Sequence, residues 1–341
     1  MRVGFLDHAF SYRGTSRAIL AYAEGLARYH DIYPSIYFLK DDSRNAWDLV
    51  KEIAKSGLVD IVPVQSLKDI PKDLDWLYYV TADSPSRITS LRRQWLSDRT
   101  HLFLHQVGFQ EPTSLQDGDV HAYTSQWQSY YFTAGTELVL PYIIPSQYFE
   151  PSSEDSHLFL RQKLKIPNNV LVLGRHGGPD TWNLPFANTA VSEALNQRED
   201  LYFIFLGTPP FCSHERAIFL PPAVASDDII SFIDACDAMI HCRWEGETFG
   251  LACAEFLARS KPIITWSNSR ERHHIYMADR SCIFYEDLDD LLRLLSQKID
   301  RDFIHSKARQ IPQGLISKFS EEVIIPRFRD MLIREADQRA K

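Results

Sequence analysis

No apolar run in this chain approaches the roughly 18 residues that a membrane-spanning helix needs, so the sequence predicts no transmembrane segment. Cysteine is sparse. The five residues, Cys212, Cys236, Cys242, Cys253 and Cys282, all lie in the second half and form no C-x-x-C pair. That pattern excludes a disulfide scaffold, suggests no zinc site and fits reduced, mostly buried thiols. Basic residues are outnumbered, 37 Lys and Arg against 45 Asp and Glu, and the net charge of -8 argues against bulk nucleic-acid binding. Repeats and low-complexity tracts are lacking. The opening Met1-Arg2-Val3-Gly4-Phe5-Leu6-Asp7 meets a charge too early for a secretory leader and reads as a strand. A soluble, cytoplasmic protein is expected.

What the chain does contain is ordinary globular composition, 45% hydrophobic and 24% charged. Its 341 residues exceed what one hydrophobic core usually serves, so two domains are expected. Strand-like and helix-like patterns alternate throughout. Strands are expected near Val3–Leu6, Ile36–Leu39, Asp60–Val64, Trp76–Val80, His101–Leu104, Val120–Tyr123 and Leu138–Leu140 in the first half. In the second they are expected near Val170–Leu173, Tyr202–Leu206, Ala217–Leu220, Ala238–His241, Pro262–Thr265 and Cys282–Phe284. Intervening helices are expected near Arg17–Tyr29, Ala46–Lys55, Arg87–Leu96, Gln126–Thr133, Pro185–Leu195, Asp228–Ala235 and Gly250–Arg259. Such alternation predicts two doubly wound parallel sheets, with ligands at the carboxyl ends of the strands. The Pro- and Ser-rich stretch Pro141–Ser153 is the natural linker, and Phe319–Arg339 reads as helical.

The most informative block is Arg243-Trp244-Glu245-Gly246-Glu247-Thr248-Phe249-Gly250-Leu251-Ala252-Cys253-Ala254-Glu255, followed by Lys261-Pro262-Ile263-Ile264-Thr265. An apolar strand feeds a turn, and the turn feeds a helix whose first N–H groups lack intrahelical partners, which makes an anion site suited to a diphosphate. Glu247 in the turn is placed to bond sugar hydroxyls, and Glu255, two helical turns on, to bond a ribose. The bland alternative pairs Glu255 with Arg259 at i,i+4 spacing.

This block resembles the E-x7-E motif of retaining GT-B glycosyltransferases, especially family 4. The resemblance implies an α/β fold of two Rossmann-like domains facing a cleft. Residues 1–145 would be the acceptor-side domain, joined by a C-terminal helix at 319–341 that crosses back to it. Residues 146–318 would bind a nucleotide-diphosphate sugar. It further implies donor contacts from Thr248, Phe249, Gly250 and Leu251 and from the turn at Gly14 and Thr15, for which a plain N-cap by Thr15 or Ser16 is the alternative. Arg175, in register with the family's Gly-Arg, would clamp the diphosphate, although a strand-end arginine facing solvent is the commoner case. His105 would face the donor sugar, or else be an ordinary structural histidine. Backbone contacts to the base are expected near Leu220–Ala223.

One departure stands out. Relatives carry a lysine several residues after that arginine, whereas no lysine occurs here between Lys165 and Lys261. Arg243, His176 or the amides of Gly177 and Gly178 are the candidates to replace it. No Asp-x-Asp pair sits at a strand end, which fits a reaction without metal or other cofactor. The resemblance then implies transfer of a sugar to an acceptor hydroxyl with retention, a phosphate oxygen taking the proton. A glycan, a lipid-linked glycan or a protein are all open as acceptors. The stretch containing Arg87, Arg92, Arg93 and Arg99, with Ile88, Leu91, Trp95 and Leu96, suggests weak peripheral membrane contact, against a solvated helix face. A sugar-nucleotide epimerase of the same fold and a non-catalytic sugar-nucleotide-binding subunit are the rival readings.

Overall fold

The structure, a computed structural model, describes residues 1–82, 88, 92, 96–112, 115–116, 118–151, 154–223 and 225–339. Two units emerge: Met1–Ile143 together with the chain from Phe319 onward, and Ile144–Lys318. The break between them falls inside the Pro141–Ser153 stretch.

In the first unit, seven strands are β1 (Arg2–Asp7), β2 (Tyr33–Leu39), β3 (Asp60–Val64), β4 (Trp76–Thr81), β5 (His101–Gln106), β6 (Val120–Tyr123) and β7 (Leu138–Val139). They form one parallel sheet in the order β3-β2-β1-β4-β5-β6-β7. Helices cover both faces of such a sheet, so its central strands read as continuous apolar runs; all six residues of β4 are buried. The helix Gly14–Ala27 begins earlier than the expected Arg17, and Arg13 is its N-cap without any side-chain cap bond. The hydroxyl of Ser16 is instead committed to Asp7 Oδ2 at 2.6 Å, which overturns a Ser or Thr cap at this turn.

The C-terminal helix Glu321–Arg339 packs on this unit. Phe328 enters an aromatic cluster with Tyr22 (ring centroids 5.3 Å apart), Phe103 (5.1 Å), Tyr78 (5.7 Å) and Phe5 (6.4 Å). Gly25 permits the approach of this helix, since a Cβ there would lie 2.3 Å from Ile325 Cδ1 and 2.5 Å from its Cγ1. Gly25→Val is therefore expected to lower stability by about 2 kcal/mol through overpacking, read as a reduced urea midpoint. An unchanged midpoint would mean that Ile325 turns aside freely.

The second unit holds a six-stranded parallel sheet in the order β10-β9-β8-β11-β13-β15. Its strands are β8 (Leu171–His176), β9 (Leu201–Leu206), β10 (Ala217–Leu220), β11 (Ala238–His241), β13 (Ile263–Trp266) and β15 (Ile283–Tyr285). A two-residue parallel pair, β12 (Gly246–Glu247) with β14 (Glu271–Arg272), lies outside it. Leu173, Phe203, Phe205, Ile240 and Ile264 pack from this sheet against Ala187, Val191 and Leu195 of the helix Ala187–Gln197. At the amino ends of β8 and β11, the fully buried Arg161 donates to Ala235 O at 2.8 Å and to Asp237 Oδ2 at 2.8 Å. That pair ties strand starts together on the edge opposite the candidate site. All five cysteines are free, four of them buried. Among the described residues no helix is long and apolar enough to cross a membrane.

Candidate functional site

The strands β8, β11 and β13 are neighbours in the second sheet, and their carboxyl ends carry Arg175 and His176, His241, and Thr265 with Trp266. Parallel pairing aligns His241 with Thr265, so side chains 24 residues apart meet. Ligands gather at this edge of doubly wound sheets because helix N-termini and loop amides converge there.

Arg175 is buried, with 3% of its surface exposed. Its guanidinium donates to Thr208 Oγ1, to Gly178 O at 2.7 Å and to Thr181 Oγ1 at 2.6 Å. All three acceptors are neutral, and among the described residues no carboxylate is paired with it. Burial lowers its pKa to about 10, with Cys242 and Glu247 opposing the shift. The group thus stays cationic at neutral pH in a place where a lone cation is costly, which favours an anionic ligand.

The connection from β11 runs through Cys242–Gly250 into the helix Leu251–Ala258. Asn183 fixes it by accepting from the Trp244 amide at 2.7 Å and donating to Glu245 at 3.1 Å. Gly250 is the helix N-cap with φ 86°, and a Cβ there would lie 3.0 Å from Glu247 Cβ. Only glycine adopts this conformation cheaply while letting the turn close over Glu247. Because Gly250 has no side chain, the first amides of the helix are left for water or a ligand. Phe249 is buried beneath the turn with its ring 5.4 Å from that of His273, whereas Thr248 is half-buried.

Glu247 retains about 20% side-chain exposure and accepts from Arg243 at 2.9 Å. Its second oxygen lies 3.4 Å from His241 Nε2. Burial alone would push this carboxyl up, but the Arg243 guanidinium and then His241 outweigh it and hold the pKa at about 2. Behind Glu247 runs a chain of contacts: His241 Nδ1 to Thr265 Oγ1 at 2.8 Å, and Thr265 Oγ1 to His274 Nε2 at 3.1 Å. Burial pushes His274 well below its ordinary pKa, so it is neutral at physiological pH. Sequence patterns single out neither His241 nor His274, although His241 ends an apolar strand and His273-His274 is a histidine pair.

Arg243 is committed to Glu247 and, at 3.4 Å, to Glu245. Its charge is largely cancelled within the turn, which distinguishes it from Arg175 as a phosphate partner. Glu255 is fully buried, with His176 Nε2 3.1 Å from its Oε2. Arg259, the expected helix partner of Glu255, donates to Asp234 at 2.9 and 2.6 Å. Leu220 ends the edge strand β10 and Pro221 to Ala223 follow it; the Leu220 carbonyl accepts from Gly207 N at 3.0 Å.

The first unit holds the remaining candidates. Gly14 and Thr15 open the uncapped helix beside Asp7, whose carboxyl burial raises to about 6. His105 is fully buried and bonded through Nδ1 to the Tyr78 hydroxyl, with the rings of Tyr22 and Tyr142 against it at 6.0 and 5.6 Å. Burial lowers its pKa to about 3. The ring packs within this aromatic cluster at the carboxyl end of β5. Of the basic stretch, Arg87, Leu91, Arg93 and Trp95 lie outside the described residues. Arg92 turns to Asp119 at 3.1 Å and Gln116 at 2.8 Å, and Ile88 is in the core.

No family model matches this chain, and no curated protein does. Solved structures do. HepE of Anabaena, in complex with UDP-glucose, is similar at a TM-score of 0.73 and 15% identity, over 98% of this chain and 100% of that one. A glycosyltransferase from Rickettsia africae reaches 0.68 at 14% identity, covering 98% of each chain. WaaG, a glycosyltransferase involved in lipopolysaccharide biosynthesis, reaches 0.58 at 16% identity over 97% of this chain and 99% of that one. The fold is GT-B. Within this GT-B chain, Arg175, Glu247 and the Gly250–Leu251 helix start belong to one sheet edge of one unit, while Gly14 and Thr15 belong to the other unit.

Proposed function

We propose that this GT-B protein is a retaining glycosyltransferase that moves a sugar from a nucleotide-diphosphate sugar to an acceptor hydroxyl without a metal ion. The observation that carries the reading is the buried Arg175 guanidinium, held among the described residues by neutral oxygens at the strand edge beside an uncapped helix. UDP-glucose is bound by the structurally similar HepE, which supports a nucleotide sugar as donor. In the proposed step the bond between the anomeric carbon and the β-phosphate oxygen breaks, and the acceptor oxygen bonds to the same face. The acceptor proton passes to the departing phosphate oxygen. Arg175 and the amides from Phe249 to Leu251 stabilise the negative charge that develops on the leaving group. Glu247, ionised throughout the physiological range, orients the donor sugar through its hydroxyls, with His241, Thr265 and His274 as positioning residues.

The test is incubation with a panel of UDP-, GDP- and ADP-sugars, with and without EDTA, scored for released nucleotide and for isomerised sugar. Slow release that survives chelation is expected. Isomerised sugar would convert the reading to an epimerase, and binding without turnover to a scaffold. Loss of release on chelation, restored by Mg2+ or Mn2+, would overturn the metal-free part.

Glu255 is proposed to hold the ribose, with the His176 ring beside its carboxylate. Glu255→Gln is then expected to weaken nucleoside and nucleotide-sugar binding together, by about 1–3 kcal/mol in calorimetry. Unchanged affinity accompanied by a lower melting temperature would leave Glu255 a structural residue of the core.

A further inference from the structure

The first unit carries an exposed aromatic surface that the donor chemistry does not use. Phe109 follows the carboxyl end of β5, and the helix Gln126–Thr133 follows the carboxyl end of β6. Trp127 and Tyr131, four residues apart on that helix, stack at 5.4 Å with 30° between their planes. Phe109 lies 4.9 Å from Tyr131 and 5.0 Å from Phe132. Tyr131 remains 59% exposed, and Trp127 and Phe109 are each partly open. Gln128 Nε2 donates to Gly108 O at 2.9 Å, tying the Phe109 loop to the helix, and the Tyr123 hydroxyl donates to Gln110 O at 3.1 Å, tying the same loop to β6.

Charge decides what fits it. The two segments that carry the rings, 107–112 and 126–133, contain no Lys or Arg, and their one charged side chain is the carboxylate of Glu111. An anionic lipid surface or a phosphorylated ligand would call for basic residues among the aromatics. Neutral aromatic faces instead complement the C–H face of a sugar ring, whose hydrogens carry slight positive charge against the negative ring face. The exposed polar side chains Glu111 and Gln126, and the partly exposed Gln110, stand beside the rings for hydroxyl groups.

We propose that Phe109, Trp127 and Tyr131 form a saccharide-binding platform, and that the acceptor is therefore a glycan. The second clause rests on the transferase reading above; the first does not. The experiment uses the full-length protein on a printed oligosaccharide array, followed by calorimetry with the best-retained oligosaccharide, with UDP-glucose and with anionic phosphatidylglycerol vesicles. Retention of an oligosaccharide is expected, with Trp127→Ala and Tyr131→Ala each weakening it tenfold or more and Trp127→Phe weakening it less than threefold. UDP-glucose affinity is expected to be the same in all variants. No retained saccharide, equal retention by the alanine variants, or vesicle binding that Trp127→Ala abolishes would each overturn the platform. Saccharide binding in a protein that binds no nucleotide sugar would keep the platform and remove its role as an acceptor site.

Discussion

Arg175→Ala is expected to weaken nucleoside diphosphate binding by about a hundredfold while changing nucleoside binding little. The magnitude follows from losing two charge-assisted hydrogen bonds to a diphosphate in a largely desolvated position, each worth about 1.5–3 kcal/mol, less what water restores. Arg175 differs from Arg243 on this edge because its present partners, Thr208, Thr181 and Gly178, are all uncharged. Arg243 is already neutralised by Glu247 at 2.9 Å, so Arg243→Ala is expected to cost diphosphate affinity much less. The comparison is made by calorimetry with UDP and uridine, or with whichever nucleotide the donor panel selects. Because Arg175 also ties the Gly178–Thr181 turn to the sheet, Arg175→Lys serves as the control that keeps the charge and loses the fork. Equal loss for nucleoside and nucleoside diphosphate, with Lys no better than Ala, would mean that Arg175 only shapes the turn.

The legibility of this chain follows from its sheets. Strands buried on both faces appear as unbroken apolar runs, which is why Trp76–Val80 and Ala238–His241 can be read directly from the amino-acid order. The helix after Gly250 is legible too, because a glycine, here in the left-handed region, precedes a run of small and apolar residues. The pair β12 and β14 is not, since two residues containing Glu and Arg carry no periodicity. Helices such as His273–Ala278, six residues long, are equally patternless. At the site, sequence order points to Glu247 and Arg175 but does not show that Arg243 faces Glu247 or that His105 sinks among Tyr22, Tyr78 and Tyr142. Those facts depend on the turn of one loop and on which face of β5 is covered. The His241–Thr265–His274 chain needs the β11–β13 register, a relation between strands that neither strand records alone.

Glu247→Gln, the second large effect, separates sugar orientation from nucleotide binding. The variant keeps the shape and one acceptor oxygen but loses the negative charge that Arg243 and the donor hydroxyls recognise. Turnover with the donor is expected to fall by about two orders of magnitude or more, while affinity for the nucleoside diphosphate changes little, because the lost contacts are to the sugar. The same carboxylate also contributes to the fold, with a defined sign. Its pKa is depressed from 4.5 to about 2 in the folded protein, so its stabilisation is fully present above 4.5 and is lost as pH falls toward 2. Wild-type protein should therefore exceed Glu247→Gln in stability at pH 7 by on the order of 2 kcal/mol, and this difference should shrink between pH 4.5 and 2. Urea denaturation across that range reads the difference directly. A gap that is constant with pH would indicate that the Arg243–Glu247 pair is solvated and that the depressed pKa is not realised. Normal sugar transfer by a well-folded Glu247→Gln protein would remove Glu247 from the reaction and leave Arg175 and the helix amides to orient the donor without it.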